Sequence, residues 1–270
     1  MVGSRMPEGN TIHRLARDHT RDFAGRLVRV SSPQGRFARE ARRLDGRRFR
    51  EAAAIGKHLF HKWDGGLIVH VHLGMAGEFT RFAGTPPDPR PTVRMRLSTP
   101  EVTADLIGPP TCELIDEEKR AQIEARLGPD PLGPGADPSR VFAALRKRPD
   151  RPIGDALLDQ RVIAGVGNIY RIEALFLAGI HPLQRSGRIS EARWLALWEL
   201  LRVLMRRGVT LRRISTIVPG ETPHVAAGRG RRDSLYVYRH EVCRRCGDRI
   251  REIPLSGRRM FFCRTCQRRS

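Results

Sequence analysis

The segment Gln160-Arg-Val-Ile-Ala-Gly-Val-Gly-Asn-Ile-Tyr170 places two glycines and an asparagine between stretches with apolar residues at helical spacing. A Gly-x-Gly-Asn turn at the start of a helix leaves backbone N–H groups and the Asn168 amide pointing outward, an arrangement that binds phosphate. Taken alone the turn is weak support for a phosphate-binding site, because glycine turns between helices are common. The predicted helices on its two sides run from Ile153 to Gln160 and from Ile169 to Ala178.

Four cysteines near the end of the chain form two Cys-x-x-Cys pairs, Cys243-Arg-Arg-Cys246 and Cys263-Arg-Thr-Cys266, with sixteen residues between them. This spacing predicts one tetrahedral zinc ion, with a hairpin that turns at Ser256-Gly257. Because four sulfur ligands leave no position for water, the ion would be structural. The alternative is a redox pair or two disulfides, which a reducing compartment disfavours. The hairpin would present Arg258 and Arg259 at its tip.

The chain has 270 residues, a formal charge of +21 and 40% hydrophobic residues. Such a charge predicts a polyanionic partner, with nucleic acid favoured and an anionic membrane second. Only four of the fifty basic residues are lysine, however, and an arginine-rich proteome raises the charge of any protein. No segment has the apolar run of a signal peptide or a membrane span, so we expect a cytoplasmic protein. Cys112 is interpreted as an inert core thiol.

The chain divides into segments of different pattern. Residues 1–127 contain short strand-like stretches separated by turn residues, a pattern that predicts an antiparallel sandwich or barrel. The Pro- and Gly-rich segment 128–138 is predicted to be a linker. Residues 139–234 are predicted to be helical, ending in a mobile loop from Val218 to Ser234, and residues 235–270 hold the cysteines. The other predicted elements are a helix from Thr11 to Phe23, strands at Leu27–Val30, His58–Trp63, Leu67–Leu73 and Val93–Leu97, and helices at Val141–Arg146 and Ser190–Arg207.

The context of the glycine turn is more specific than the turn itself. Gly165-Val-Gly-Asn-Ile-Tyr170, followed by Glu173, Leu175, Phe176 and Gly179-Ile-His-Pro182, resembles the helix-two-turn-helix of the formamidopyrimidine-DNA glycosylase and endonuclease VIII family. Four further segments resemble that family in the same order along the chain: Met6-Pro-Glu-Gly9, Gly56-Lys-His-Leu59, His72-Leu-Gly-Met75, and the cysteine pairs with Arg258. Ser31-Ser-Pro-Gln-Gly-Arg-Phe37 and Gly56-Lys-His-Leu-Phe60 are similar to actinobacterial endonuclease VIII-type members.

The resemblance implies a fold and a reaction. The fold is an α+β multidomain chain: a catalytic antiparallel β-sandwich with an N-terminal helix, a helix-two-turn-helix domain and a zinc hairpin. The reaction is excision of an oxidised base from damaged double-stranded DNA, followed by strand cleavage through β,δ-elimination. Pro7 would be the N-terminal amine that attacks C1′ of a flipped nucleotide, Glu8 the acid and base, and Lys57 a phosphate ligand on a strand. The implied protein is a monomer associated with the nucleoid.

The resemblance also implies the residues that bind DNA. Met75 would fill the gap left by the flipped base, and Asn168 and Arg258 would hold phosphates. Without the resemblance, Pro7-Glu8 is an ordinary helix start, Lys57 a solvated strand residue and Met75 a core methionine. His70 and His72 alternate on one predicted strand, but no third ligand is near in sequence, so we do not predict a metal there.

The sequence departs from the family at three places. Met1-Val-Gly-Ser-Arg5 precedes Met6, so Pro7 has a nucleophilic nitrogen only if the mature chain starts there. Asp105-Leu-Ile-Gly108 stands where purine-directed relatives carry Arg and Phe. Thr11 stands where many relatives carry a second glutamate, three residues after the one that Glu8 matches. The last two differences favour oxidised pyrimidines as substrates. Two rival hypotheses are a non-catalytic damaged-DNA-binding protein of this fold and a plain zinc-ribbon module, which leaves the first 130 residues unexplained.

Overall fold

The computed structural model describes residues 6–217 and 234–268. The chain forms two compact units, the first ending at Arg126 and the second beginning at Leu127. Met1–Arg5 lies outside the described residues, and so does the loop predicted from Val218 to Ser234, apart from Ser234 itself.

The first unit is an antiparallel β-sandwich. Its strands follow the order β5-β7-β6-β1-β2-β3-β4-β8. β1 pairs with β2 through its first residues and with β6 through its last, so the sheet changes layer at β1. The elements are α1 (Gly9–Phe23), β1 (Leu27–Ser31), α2 (Ala38–Leu44), β2 (Arg47–Ile55), β3 (His58–Trp63), β4 (Ile68–His72), β5 (Glu78–Ala83), β6 (Val93–Ser98), β7 (Val102–Ile107), β8 (Thr111–Ile115) and α3 (Glu117–Glu124).

The sandwich encloses an apolar core that α1 covers on one side. Ile12, Leu15 and Phe23 lie on the buried face of α1, at the helical spacing seen in the sequence. They pack with apolar residues of the strands, among them Phe49 and Leu59. Cys112 lies against the same core, and burial raises the pKa of its thiol to about 12. That agrees with its interpretation as an unreactive thiol.

The second unit is helical and carries a hairpin of two strands near its end. Its elements are α4 (Pro138–Arg146), α5 (Ile153–Ala156), α6 (Asn168–Leu177), α7 (Glu191–Thr210), β9 (Ile250–Leu255) and β10 (Arg258–Cys263). Asp137 and Ser190 cap α4 and α7 by accepting backbone N–H groups. The predicted fold class is thus confirmed. Within the described ranges, no helix is long and apolar enough to cross a membrane.

Two predictions for this unit need correction. The helix predicted from Ile153 to Gln160 ends at Ala156, because the side chains that follow bond to the backbone instead. Gln160 donates to the Leu158 and Val166 carbonyls at 2.9 Å and accepts from the Gly165 N–H. The predicted linker has no regular structure as far as Asp137, yet it is bonded to its own unit, since the Gly128 N–H donates to the Gln160 carbonyl at 2.9 Å.

Candidate functional site

The contacts of α1 fix where its first residues lie. The Thr20 hydroxyl bonds to the backbone of Ala52, and the Gly25 N–H donates to the Phe49 carbonyl. The end of α1 therefore lies at the start of β2, and the two elements run in opposite directions. Pro7 and Glu8, which precede α1, are thus at the end of the sandwich where β2 finishes. Glu8 is the N-cap residue and is only 2% exposed.

Lys57 lies at the same end, on the two-residue turn between β2 and β3. Ile55 pairs with His58, so only Gly56 and Lys57 connect the strands. Gly56 has φ +58°, a conformation that favours glycine at the first turn position. The prediction that Lys57 lies on a strand is therefore wrong. A turn projects the side chain from the end of the sheet, whereas a strand residue would face one side of it.

Met75 lies on the turn after β4. His72, the last residue of β4, pairs with His58, so this turn is beside the Lys57 turn. The Met75 side chain is 57% exposed. This exposure excludes the alternative that Met75 is a core methionine. Pro7, Glu8, Lys57 and Met75 are thus gathered at one end of the first unit, which we call the catalytic end.

A chain of hydrogen bonds that the sequence did not predict adjoins the catalytic end. His70 Nδ1 is 2.9 Å from the Glu113 carboxylate, and His70 Nε2 is 2.9 Å from His58 Nδ1. Burial, together with the charges of His70, His72 and Lys57, lowers the pKa of His58 to about 3. The chain connects a half-exposed carboxylate on β8 to the residue that follows Lys57. The alternation of residues along β4 indicated that His70 and His72 share one face of the sheet. It did not indicate that Glu113 joins them, because Glu113 reaches His70 only through the pairing of β8 with β4.

The cysteine pairs come together in the second unit. Their four Sγ atoms lie within 4.8 Å of one another, close enough to hold one metal ion between the residues singled out by spacing. β9 and β10 form the predicted hairpin, with Ser256 and Gly257 at φ +55° and +67°. Arg258 is the first residue after that turn and is half-buried. The four cysteines are the only group of this kind found within residues 6–217 and 234–268.

Asn168 connects the helix-two-turn-helix to the hairpin. Its Nδ2 donates to the Arg259 carbonyl at 3.1 Å, and its Oδ1 accepts from the Arg171 guanidinium. The side chain is 7% exposed, so it does not point outward as the turn pattern suggested. Because Arg259 directly follows Arg258 in the chain, this bond brings Asn168 close to Arg258. The phosphate roles of both residues stay predictions.

Glu173 has a role that the sequence pattern did not show. Its carboxylate is fully buried and accepts from the Tyr236, Val237 and Tyr238 N–H groups at 2.7 to 2.9 Å, and from the Thr216 hydroxyl at 2.6 Å. It thereby attaches α6 to the segment that leads into Cys243. The sequence signal that could have indicated this is an acid within the apolar run Ile172 to Leu177, since an acid among buried neighbours needs hydrogen-bond donors.

Both units match known protein domains. Residues 6–107 match the formamidopyrimidine-DNA glycosylase N-terminal domain, and residues 127–219 match the formamidopyrimidine-DNA glycosylase H2TH domain. The chain belongs to the formamidopyrimidine-DNA glycosylase and endonuclease VIII family, a family of base-excision DNA glycosylases and lyases. The resemblance on five motifs is therefore confirmed, including its actinobacterial character.

Curated relatives match over nearly the full chain. It is 49% identical to "Endonuclease 8 1" of Mycobacterium tuberculosis over 269 residues, covering 97% of this chain and 100% of the relative. It is 33% identical to "DNA-(apurinic or apyrimidinic site) lyase Nei2" of Mycolicibacterium smegmatis, covering 97% and 99%. The fold is similar to a solved complex of Lactococcus lactis Fpg with abasic-site DNA, with a TM-score of 0.78, 23% identity and coverage of 97% and 100%.

Proposed function

We propose that this protein is a bifunctional DNA glycosylase and abasic-site lyase that uses Pro7 as its nucleophile. The observation that carries the proposal is the meeting of Pro7, Glu8, Lys57 and Met75 at the catalytic end. These residues come from separate segments, and only the packing of α1 on β2 and the register of β2, β3 and β4 bring them together. Family membership supports the same reaction class.

The reaction begins when the Pro7 nitrogen attacks C1′ of the extruded nucleotide. An N-terminal amine has a pKa near 8, so a useful fraction is neutral at cellular pH. The glycosidic bond breaks, its electron pair leaves with the base, and Glu8 supplies a proton at the sugar ring oxygen. Ring opening gives an iminium between Pro7 and C1′, which acidifies the C2′ hydrogens. Glu8, now a carboxylate, removes a C2′ proton as the 3′ phosphate leaves by β-elimination. Loss of the C4′ proton to the solvent then expels the 5′ phosphate by δ-elimination, and water releases the proline.

The cysteine site suits zinc. A Zn–S bond of about 2.3 Å in a tetrahedron separates the sulfurs by roughly 3.8 Å. The Sγ atoms of Cys243 and Cys266 are 3.9 Å apart, and those of Cys246 and Cys263 are 3.5 Å apart. Four thiolates leave no open position, so zinc would act on the fold alone and hold Arg258 on its hairpin. Arg258 and Asn168 would bind phosphates of the damaged strand.

Oxidised pyrimidines are the proposed substrates. The segment Asp105-Leu-Ile-Gly108 stands where purine-directed relatives carry Arg and Phe, and its Asp105 is buried and paired with Arg96 at 2.6 Å. It cannot fill the gap opposite a lesion from that position. A panel of duplexes, each with one oxidised base, tests this: faster excision of oxidised purines than of oxidised pyrimidines would contradict the preference.

Borohydride trapping on an abasic-site duplex tests the mechanism. Protein whose sequenced N-terminus is Pro7 should form a covalent adduct and nick the strand. The matched control retains Met6, so that the Pro7 nitrogen is an amide; it should bind the duplex without an adduct. If the Pro7-initiated protein binds but neither traps nor nicks, the second candidate holds, a non-catalytic damaged-DNA-binding protein. The residues before Met6 in the sequence favour that candidate if they persist in the mature chain.

A further inference from the structure

A group of exposed arginines lies at the other end of the first unit. Arg39, Arg42 and Arg43 project from α2, and Arg47 starts β2. We call these four residues the arginine corner. The Gly46 N–H, between α2 and β2, donates to the Val28 carbonyl and fixes the corner on β1.

The charge of this region is far above the average of the chain. Residues 26–50 contain nine arginines and two acids, a formal excess of seven positive charges. That is one third of the +21 of the whole protein, in fewer than a tenth of its residues. The positive charge is therefore concentrated at one place and is not only the even background expected of an arginine-rich proteome.

Glu40 lies on α2 itself and, among the described residues, forms no ion pair with the corner, and three other acids nearby are paired with other arginines. Asp45 pairs with Arg29, and its other contact is the Val30 N–H. The acids of neighbouring loops are similarly engaged, Glu101 with Arg26 and Asp64 with Arg50. In the part of the chain that the structure describes, no ion pair involves any of the four arginines of the corner.

This arrangement does not stabilise the fold. Arg39 lies three residues before Arg42 and four before Arg43, so the three form like-charge neighbours on one face of α2. Each such pair costs a few tenths of a kcal/mol in a helix. The core contacts of α2 come from Ala41 and Leu44 on its opposite face. A cluster that costs stability and lacks internal ion-pair partners indicates an external anion.

The corner is remote from the catalytic end. β2 begins at Arg47 and finishes beside the Lys57 turn, and nine extended residues span roughly 25 to 30 Å. A duplex short enough to cover only the catalytic end therefore does not neutralise the corner. Its partner is a separate stretch of polyanion.

We propose that the arginine corner binds the phosphate backbone of a second DNA segment while the catalytic end holds the first. Residues three and four apart on a helix are about 5 to 6 Å apart at Cβ, a separation that allows neighbouring guanidinium groups to contact successive phosphates of one strand. The proposal goes beyond the proposed glycosylase activity and does not depend on it. A second segment held in this way would allow direct transfer between DNA sites.

The surface favours DNA over an acidic protein segment. At the corner Arg47 and Arg48 of β2 pair with Val28 and Leu27 of β1, and the Arg48 carbonyl accepts from the Asp64 N–H, so this part of the sheet offers no free edge to which an extended peptide could add. The four arginines project from the surface with exposed side chains. Such a surface suits non-specific contact with a phosphate backbone, which requires charge and no pocket.

A capture experiment tests the proposal. The full protein is saturated with a short immobilised duplex that carries a stable abasic-site analogue and covers one binding site. A labelled undamaged duplex is then added, and its retention is measured over a range of salt concentrations. The variant is Arg39→Gln/Arg42→Gln/Arg43→Gln, since glutamine has nearly the helix propensity of arginine. The matched control is Arg17→Gln/Arg90→Gln/Arg206→Gln, which removes three other exposed charges.

Wild type and control should retain the labelled duplex, and the corner variant should retain it about tenfold less at moderate salt. The salt slope of retention should fall by about 0.9 for each phosphate that the variant no longer binds. Cleavage of a short duplex with a natural abasic site should be equal in all three proteins. The proposal is overturned if wild type retains no second duplex or if the corner variant retains as much as the control. It is also overturned if labelled polyaspartate, added in place of the second duplex, is retained while the duplex is not. A wild type that retains the second duplex but does not cleave contradicts the proposed enzyme function alone.

Discussion

Asp105 forms a buried ion pair whose loss should destabilise the sandwich. Both of its oxygens accept from Arg96, at 2.6 and 2.7 Å, and both side chains are nearly inaccessible. Removal of one partner leaves the other charge buried and unpaired. We expect Asp105→Ala to lower the free energy of unfolding by about 3 kcal/mol in urea titrations. The control is Glu101→Ala, whose pair with Arg26 is exposed and should cost less than about 1 kcal/mol. Equal effects would contradict the argument.

His19 and His61 make stability depend on pH. Their ring nitrogens are 2.9 Å apart in the core, and burial lowers the pKa of His19 to about 4 and that of His61 well below 6.5. Between pH 6.5 and about 4 the unfolded chain therefore binds more protons than the native state. The stabilising contribution of the neutral pair is complete above pH 6.5 and is lost as pH falls through this window.

Urea midpoints measured from pH 7.5 to 4.5 test this dependence. The wild type should lose stability steadily below pH 6.5. The His19→Gln/His61→Gln protein should start lower and fall less steeply, because its buried pair no longer titrates. Parallel curves for the two proteins would show that other groups cause the dependence.

At the scale of elements, Glu173 joins α6 to the segment before the cysteine site. An uncharged glutamine at position 173 has only one oxygen to accept the four donors, and its NH2 group would face N–H groups. We expect Glu173→Gln to lower the free energy of unfolding by about 3 kcal/mol. It should also raise amide hydrogen exchange at Tyr236, Val237 and Tyr238. The exposed Glu191→Gln is the control and should leave exchange at these amides unchanged.

The cysteine hairpin should depend on its metal. We expect one zinc ion per chain by atomic emission, and none in Cys263→Ser, whereas Cys112→Ser should retain the metal. Removal of the ion by a chelator should unfold β9 and β10, since small zinc modules fold with their metal. The Asn168 amide would then lose the Arg259 carbonyl. Full metal content in Cys263→Ser would contradict a four-cysteine site.

For the whole molecule, the charge of +21 should dominate affinity for undamaged DNA. We expect log affinity to fall linearly with log salt concentration. Arg258→Ala should weaken binding to damaged and undamaged duplexes alike and reduce this slope by about one. A loss confined to one lesion would show that Arg258 reads the damaged base and not a phosphate.

The sequence by itself determined the elements whose cause is local. β3 has the predicted bounds His58–Trp63, and α7 starts at Glu191, one residue after the predicted start Ser190. The Ser256-Gly257 turn and the cluster of four cysteines follow from spacing, because turn chemistry and tetrahedral geometry act over a few residues. The ordered motifs also identified the family. The helix predicted as far as Gln160 failed, because the Gln160 side chain bonds to carbonyls that the residue pattern alone does not reveal.

Only the tertiary structure decided which distant residues meet. Glu8, Lys57 and Met75 share one end because α1 lies antiparallel to β2 and because β3 pairs in register with β4. The Glu113–His70–His58 chain needs β8 beside β4, and the inward side chain of Asn168 needs β10 beside α6. Such contacts depend on packing between residues far apart in the chain, which periodicity and propensity do not encode. For the same reason only the fold showed that the arginine corner lies opposite the catalytic end.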